Sequence, residues 1–161
     1  MSNSIKGAKM MEIKSVIGTE NPVYPDAIAI RRTVFIGEQG VSEALELDGQ
    51  DEDVKHYVGY VDGQAVATAR IKPLFNQRVK IQRVATLKAA RHHGYNTQII
   101  KRILSDAQDE GFLEAVLDAQ ETALGFYQKM GFVITSEPFL EANIKHRKMT
   151  YNLVQKKESI D

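Results

Sequence analysis

The sequence predicts a single α/β domain with a mixed sheet and helices on both faces, in the order β-α-β-β-β-α-β-α-β-β. The chain of 161 residues is long enough for one domain with a sizeable core. Short runs rich in β-branched and aromatic residues alternate with segments whose apolar residues recur at helical spacing. One helical segment joins two strands within residues 78–119, and such a crossover makes the two strands parallel. We expect the domain to occupy residues 10–155, after a loose polar segment at residues 1–9.

The first elements are a strand, a helix and a loop. Residues 10–18 form a predicted strand, and residues 24–39 a predicted helix with Pro25 in its first turn, where a missing N–H costs nothing. Residues 40–53 are acidic and rich in turn formers, which predicts a surface loop with one short helical turn.

Three consecutive strands follow, at residues 55–61, 64–72 and 78–87. Asp62 and Gly63 separate the first two, and Asp-Gly between β-rich runs is a strong hairpin signal, so we expect antiparallel pairing. The remaining elements are a helix, a strand, a helix and two strands, at residues 94–110, 114–119, 120–131, 132–140 and 146–154. Gly111 and Gly131 end the two helices, as glycine commonly does.

Composition excludes several classes of function. Lys plus Arg number 21 and Asp plus Glu number 21, so no overall field attracts nucleic acid or an anionic membrane. The absence of cysteine excludes disulfides, thiolate metal sites and a cysteine nucleophile. No metal site is expected either, since adjacent His92 and His93 lack the i, i+4 spacing of helix-borne ligands. Without a signal-peptide pattern or an apolar run of about 18 residues, a cytoplasmic protein is expected.

The turn before the helix at residues 94–110 is the first candidate site. A strand, a tight turn and a helix start present free backbone N–H groups and the positive end of the helix dipole, which favour an anion. Arg91 leads this turn, Gly94 is its one glycine, and His92, His93 and Asn96 surround it. The alternative is a plain connection whose histidines face solvent.

Tyr127 is the second candidate. It shares helical spacing with Ala123, Phe126 and Met130, so it can belong to an apolar stripe with its hydroxyl at the edge. A phenol with an ordinary pKa near ~10 can also protonate a departing thiolate. The sequence alone leaves both roles open.

Together these segments resemble the GNAT superfamily of acyl-CoA-dependent N-acetyltransferases. The strand "KIQRVATL", the turn "RHHGYN" and the segment "DAQETALGFYQKMGF" occur in the order typical of that superfamily. The segments "RRTVFIGEQGV", "ELDGQDEDVKHYVGYVDGQAVATARI" and "EANIKHRKM" are similar to the small bacterial ElaA/YjcF-like group. The resemblance extends from Tyr24 to Leu153, nearly the whole chain.

The resemblance implies a GNAT-like sheet with splayed central parallel strands and transfer of an acetyl group from acetyl-CoA to a small primary amine. It implies that pantetheine follows the strand edge at Val84, Ala85 and Thr86. The pyrophosphate would bind the loop and first helical turn formed by Arg91, His92, His93, Gly94, Tyr95, Asn96 and Thr97. Tyr127 matches the tyrosine that protonates the leaving thiolate in many members. Dimerisation is common in the superfamily, so a homodimer is an open alternative.

The loop departs from the pattern Arg/Gln-x-x-Gly-x-Gly/Ala that the superfamily carries. Arg91 and Gly94 match it, but Asn96 takes the final position, and His92 replaces a glycine usual in the narrower group. If His92 adopts a positive φ, the strain is about 1 kcal/mol or more. Since the backbone N–H groups survive both replacements, altered coenzyme binding is expected rather than its loss.

A base must remove a proton from the acceptor, because an ammonium ion is not nucleophilic. The candidates for this base or for the acceptor pocket are Glu38, Glu46, Asp48, His56 and His146. Arg70 and Arg83 lie in otherwise apolar strands, where either can anchor a substrate carboxylate or form an ion pair with Glu38 or Glu46.

A second function stays open beside the enzyme: a catalytically degenerate protein of the same fold, acting as a coenzyme A sensor or binding partner. The altered loop favours it, and retention of Tyr127 argues against it. A flavin- or nicotinamide-binding protein is disfavoured because the motifs for either cofactor are missing.

Overall fold

The computed structural model describes residues 10–154 in full, together with the backbone of residues 4–5 and 8–9. Strands β1 (Ser4–Ile5) and β2 (Ala8–Lys9) pair antiparallel inside the segment predicted to be loose. Residues 1–3 and 6–7 of that segment, and residue 155 at the predicted end of the domain, lie outside the described residues.

The chain forms two compact units. The first comprises residues up to 72 and residues 82–100, and the second comprises residues 73–81 and those from 101 onward. Strands β5 (Gln64–Leu74) and β6 (Arg78–Thr86) and helix α3 (Tyr95–Asp109) each contribute residues to both units.

The first unit contains the predicted strands β3 (Glu12–Ile17) and β4 (Lys55–Val61) and residues 64–72 of β5. β4 pairs antiparallel with both β3 and β5. Asp62 and Gly63 connect β4 to β5 with φ angles of +52° and +78°, the left-handed conformation that a two-residue hairpin requires. The predicted hairpin is therefore confirmed.

The helical segment of the first unit has the predicted length but an unpredicted form. Helix α1 (Tyr24–Arg31) continues directly into a π-helical segment, Arg32–Glu38, and α2 (Glu43–Glu46) forms the single turn predicted for the acidic loop. Ser42 caps α2 by accepting a hydrogen bond from the Leu45 N–H at 3.3 Å. The helical face formed by Val23, Ala27, Ile30 and Val34 packs against Val58 of β4 and Ala85 of β6.

The second unit contains β7 (Glu114–Gln120), α4 (Leu124–Met130), β8 (Val133–Ile134), β9 (Phe139–Glu141) and β10 (Ile144–Asn152). The first residues of β6 run parallel to β7, as the crossover predicts, and this ladder ends at the pair Ile81–Leu117. β10 is antiparallel to β7, β8 and β9. The predicted α/β fold with a mixed sheet is confirmed.

The prediction of one strand over residues 132–140 is wrong. Residues 135–138 interrupt it. Pro138 has no N–H to donate to a neighbouring strand, and Ser136 pairs with β10 through its side-chain hydroxyl rather than through its backbone. Ser136 Oγ accepts a hydrogen bond from the Lys148 N–H at 2.8 Å. Two short strands, β8 and β9, result.

In the described part of the chain, no helix combines the length and apolar character needed to cross a membrane.

Candidate functional site

The turn between β6 and α3 has the strand–turn–helix form that the sequence predicts. A 3₁₀ turn, Lys88–Ala90, follows β6, and His92, His93 and Gly94 are exposed before α3 begins at Tyr95. His92 has φ = +68° and Gly94 has φ = +79°. Histidine therefore occupies a left-handed position that usually takes glycine, at a cost of about 1 kcal/mol or more.

The N–H groups at the start of α3 lack hydrogen-bond partners within the part of the chain that the structure describes. The first intrahelical hydrogen bond runs from the Gln98 N–H to the Gly94 carbonyl at 3.1 Å. The N–H groups of Tyr95, Asn96 and Thr97 donate no hydrogen bond to any other residue that the structure describes. With the helix dipole, these donors make a favourable position for an anion.

Asn96 is held by the end of β6. The Thr86 hydroxyl donates to Asn96 Oδ1 at 2.5 Å, and Thr86 is buried. The side-chain carbonyl oxygen of Asn96 is thereby occupied by Thr86. Ala85, beside Thr86, is buried in the core against α1, whereas Val84 is partly exposed.

Arg91 makes an ion pair with Glu38, at the end of the π-helical segment, through a single nitrogen. Its Nη2 lies 2.8 Å from both carboxylate oxygens of Glu38, and its Nε donates to the Thr86 carbonyl at 3.0 Å. The sequence leaves Glu38 and Glu46 as alternative ion-pair partners of Arg70 or Arg83. Glu38 pairs instead with the loop arginine, Arg91, 53 residues along the chain.

A buried network of ionic side chains forms the other notable feature of the first unit. We call it the ionic cluster; its members are Arg31, Glu46, Asp48, Asp51, Arg70 and Arg83, three cations and three anions. Arg31 donates through Nε to Glu46 at 2.6 Å and through Nη1 to Asp51 at 2.9 Å. Its Nη2 donates to the Glu46 carbonyl at 2.9 Å, so α1 holds the acidic loop directly.

Arg70 is fully engaged within the cluster. Nη1 donates to Asp48 at 3.1 Å and to Asp51 at 2.8 Å, while Nη2 donates to Asp48 at 3.1 Å and to Gln82 at 2.8 Å. Nε also donates to Gln82, at 3.1 Å. A guanidinium has five N–H donors, and all five are used in a side chain that is 1% exposed. No donor remains for a substrate carboxylate.

Arg83 lies at the more open side of the cluster, in a strained backbone conformation with φ = +56°. Its Nη2 is 3.3 Å from Asp48 Oδ2, and its Nε is 3.1 Å from Glu46 Oε2 without hydrogen-bonding geometry. The predicted alternative of an ion pair between Arg83 and Glu46 is confirmed. Burial lowers the pKa of Arg83, and the Glu46 carboxylate opposes this.

The pKa values of Asp51 and Glu46, two buried carboxylates of the cluster, shift in opposite directions. Burial alone would raise the pKa of Asp51, but hydrogen bonds from Tyr24, Arg70 and Arg31 outweigh burial and lower it to about 2. Burial raises the pKa of Glu46, and the neighbouring guanidinium groups oppose that rise. Asp51 is therefore a fixed anion at neutral pH.

The predicted histidines are in different environments. His56 is 1% exposed, its Nε2 donates to the Asp51 carbonyl at 2.9 Å, and burial lowers its pKa, so it is a neutral structural residue. His146, in the second unit, donates from Nδ1 to the Ile144 carbonyl at 2.7 Å and stacks on Phe139. In its neutral form, Nε2 of His146 remains an acceptor.

Tyr127 is buried in the second unit, with edge-on contacts to Phe126 and Phe132. Burial raises the pKa of its phenol above the ordinary value, so the hydroxyl is protonated at neutral pH. Tyr127 therefore belongs to the apolar stripe expected from the spacing, and its phenol holds the proton that a general acid donates.

Sequence reasoning missed two members of the ionic cluster, Arg31 and Asp51, which pair with each other at 2.9 Å. A signal for Arg31 exists: it lies four residues after Ala27 and three before Val34, on the apolar face of α1. No local pattern distinguishes Asp51 from the exposed acidic residues beside it. Across the described residues, no group of three potential metal ligands is arranged to hold a metal ion.

Comparisons with known proteins place the chain in a family. An acetyltransferase (GNAT) domain model matches residues 19–153. The uncharacterised protein YyaT of Bacillus subtilis is 37% identical over 87% of this chain and 95% of its own length. The uncharacterised N-acetyltransferase YjcF of the same organism is 33% identical, over 85% of this chain and 98% of its own. The crystal structure of Escherichia coli ElaA superposes with a TM-score of 0.78 at 27% identity, covering 86% of this chain and 98% of that one. The chain belongs to the GNAT acetyltransferase family and resembles its ElaA/YjcF group.

Proposed function

We propose that this protein transfers the acetyl group of acetyl-CoA to a primary amine of a small acceptor. The observation that carries the proposal is the start of α3, beside the exposed turn of His92 to Gly94, where the N–H groups of Tyr95, Asn96 and Thr97 have no partner among the described residues. A diphosphate supplies the acceptor oxygens and negative charge that such a position favours. The end of β6, at Val84 to Thr86, leads into this loop and would carry the pantetheine arm.

The reaction would proceed by direct attack. A base removes a proton from the ammonium form of the acceptor, and the amine nitrogen then forms a bond to the carbonyl carbon of the thioester. The carbon–sulfur bond breaks as the tetrahedral intermediate collapses, while the nitrogen gives its second proton to solvent. The sulfur takes a proton from the Tyr127 hydroxyl, which regains one from solvent.

Tyr127 is assigned the acid role because it matches the tyrosine of many GNAT members, and its hydroxyl carries a proton at neutral pH; burial raises its pKa and so makes it a weaker donor. Among the candidate bases, the carboxylates are each paired with an arginine: Glu46 with Arg31, Asp48 with Arg70, and Glu38 with Arg91. His56 is 1% exposed and donates to the Asp51 carbonyl. His146 is also buried, at 8% exposed, but its neutral Nε2 keeps a lone pair, so we propose it as the base, acting through water.

The first experiment is a calorimetric titration of the protein with acetyl-CoA and with desulfo-CoA, followed by thiol release in the presence of a panel of amines. We expect saturable binding and thiol release with at least one amine. If acetyl-CoA does not bind, the proposal is wrong. His92→Gly serves as the matched loop variant, because it restores the usual glycine without removing any hydrogen bond that the structure describes for that residue.

A second function, coenzyme binding without turnover, is favoured by one observation: Glu46 and His56 are both closed within hydrogen bonds. Binding of acetyl-CoA with no thiol release across the panel would support it. If the protein only binds the coenzyme, His146→Gln should leave the affinity for acetyl-CoA unchanged, and neither the variant nor the wild type should release thiol.

A further inference from the structure

The guanidinium of Arg91 faces groups of the protein itself. Nη2 bonds both oxygens of Glu38 at 2.8 Å, and Nε bonds the Thr86 carbonyl at 3.0 Å. Both charged side chains are about one-third exposed, 34% for Arg91 and 32% for Glu38. Among the described residues, only Nη1 is left without a partner.

We propose that Arg91 and Glu38 are positioning residues, whose ion pair holds the loop at His92–Gly94 in the conformation that binds a diphosphate. This inference rests on the proposed function. In this role Arg91 does not bind the coenzyme through its charge.

The strained backbone of His92 supplies the first argument. A left-handed histidine persists only where its surroundings fix it. Thr86 anchors the loop on both sides of His92, since its carbonyl accepts from Arg91 and its hydroxyl donates to Asn96. Glu38 fixes the orientation of the Arg91 side chain that makes the first of these bonds.

Charge balance supplies the second argument. The Glu38 carboxylate neutralises the Arg91 guanidinium at contact distance, so the pair presents no net charge to an approaching anion. Attraction then comes from the N–H dipoles at the start of α3. If Arg91 only positions the loop, loss of the Glu38 charge should weaken acetyl-CoA binding. If Arg91 binds the diphosphate through its charge, the same loss should strengthen it.

The test is a calorimetric titration of acetyl-CoA into Glu38→Gln, Arg91→Gln, the double variant, and Arg102→Gln as control. Arg102 is a more exposed arginine of α3 that pairs with Asp106 at 3.3 Å. We expect each single change at the pair to weaken binding about 3- to 10-fold, with the double variant no weaker than the weaker single one. Arg102→Gln should bind like the wild type. Tighter binding by Glu38→Gln would overturn the proposal, because it would mean that Arg91 acts as a charged ligand held back by Glu38.

Hydrogen exchange of the protein without coenzyme separates this inference from the proposed function. The amides of Ala90, Arg91 and Gln98 are hydrogen-bonded within or beside the loop, and they should exchange faster in Glu38→Gln than in wild type or Arg102→Gln. Faster exchange, with no acetyl-CoA binding by wild type, would support positioning and overturn the proposed function. Unchanged exchange would overturn positioning, whatever the affinity for coenzyme.

Discussion

Replacing Asp51 with asparagine removes one anion from the buried ionic cluster while keeping the size of the side chain. The carboxylate accepts from Tyr24 at 2.6 Å, from Arg31 at 2.9 Å and from Arg70 at 2.8 Å. Its pKa of about 2, against an ordinary 3.8, corresponds to about 2 kcal/mol of stability. Leaving Arg31 and Arg70 with a buried excess charge adds to this, so we expect a loss of about 3 kcal/mol at pH 7.

Urea denaturation at several pH values between 7 and 3 tests both the size of this stability loss and the direction in which it changes with pH. The folded pKa of Asp51 lies below the unfolded one, so the stabilisation is complete above about pH 5 and is lost as pH falls towards 2. The gap between wild type and Asp51→Asn should therefore narrow on acidification. The control is Asp53→Asn, at an exposed neighbouring position, which should change stability by less than about 0.5 kcal/mol. A gap below about 1 kcal/mol at pH 7, or one that does not narrow, would refute this account of the cluster.

Three further outcomes follow from single contacts. Tyr127→Phe should lower the rate of acetyl transfer by about 10²- to 10⁴-fold while thermal unfolding is nearly unchanged, as measured by thiol release and calorimetry. His92→Gly should raise the free energy of unfolding by up to about 1 kcal/mol by relieving the left-handed strain, whereas His93→Gly, at a negative φ, should lower it in the same urea titration. Thr86→Val removes the donor to Asn96 and should weaken acetyl-CoA binding several-fold, with circular dichroism like that of wild type; unchanged affinity would show that the Asn96 anchor is dispensable.

Local chemistry made most of the fold predictable. The Asp62–Gly63 hairpin follows from the φ preferences of its two residues, and the parallel pair of β6 and β7 follows from the intervening helix. The π-helical form of Arg32–Glu38 was not predictable, because its apolar spacing resembles that of an ordinary helix. The interruption at residues 135–138 depends on Ser136 meeting Lys148, twelve residues further along the chain.

The candidate site was less predictable, because many of its contacts join residues that are far apart in the sequence. The start of α3 could be located because strand, turn and helix are contiguous in sequence. The partners of the loop and of the cluster are distant: Glu38 is 53 residues from Arg91, and Asp51 is 20 from Arg31. Sequence reasoning identified Arg70, Arg83 and Glu46 as residue types needing partners, but choosing among many carboxylates requires the fold.

The loop can dispense with glycine at position 92 because its anchors outweigh the strain. A left-handed histidine costs about 1 kcal/mol or slightly more. The bonds from Arg91 to the Thr86 carbonyl and from Thr86 to Asn96 contribute about 1 kcal/mol each, and the partly exposed pair with Glu38 adds a few tenths to 1 kcal/mol. The sum exceeds the strain by about 1 to 2 kcal/mol, so the margin that holds the loop is narrow. Loss of any one anchor should reduce this margin, whereas a glycine at position 92 should restore part of it by removing the strain. His92→Gly combined with Glu38→Gln should therefore recover acetyl-CoA affinity relative to Glu38→Gln alone, and failure to recover would mean that strain at His92 is not what the anchors oppose.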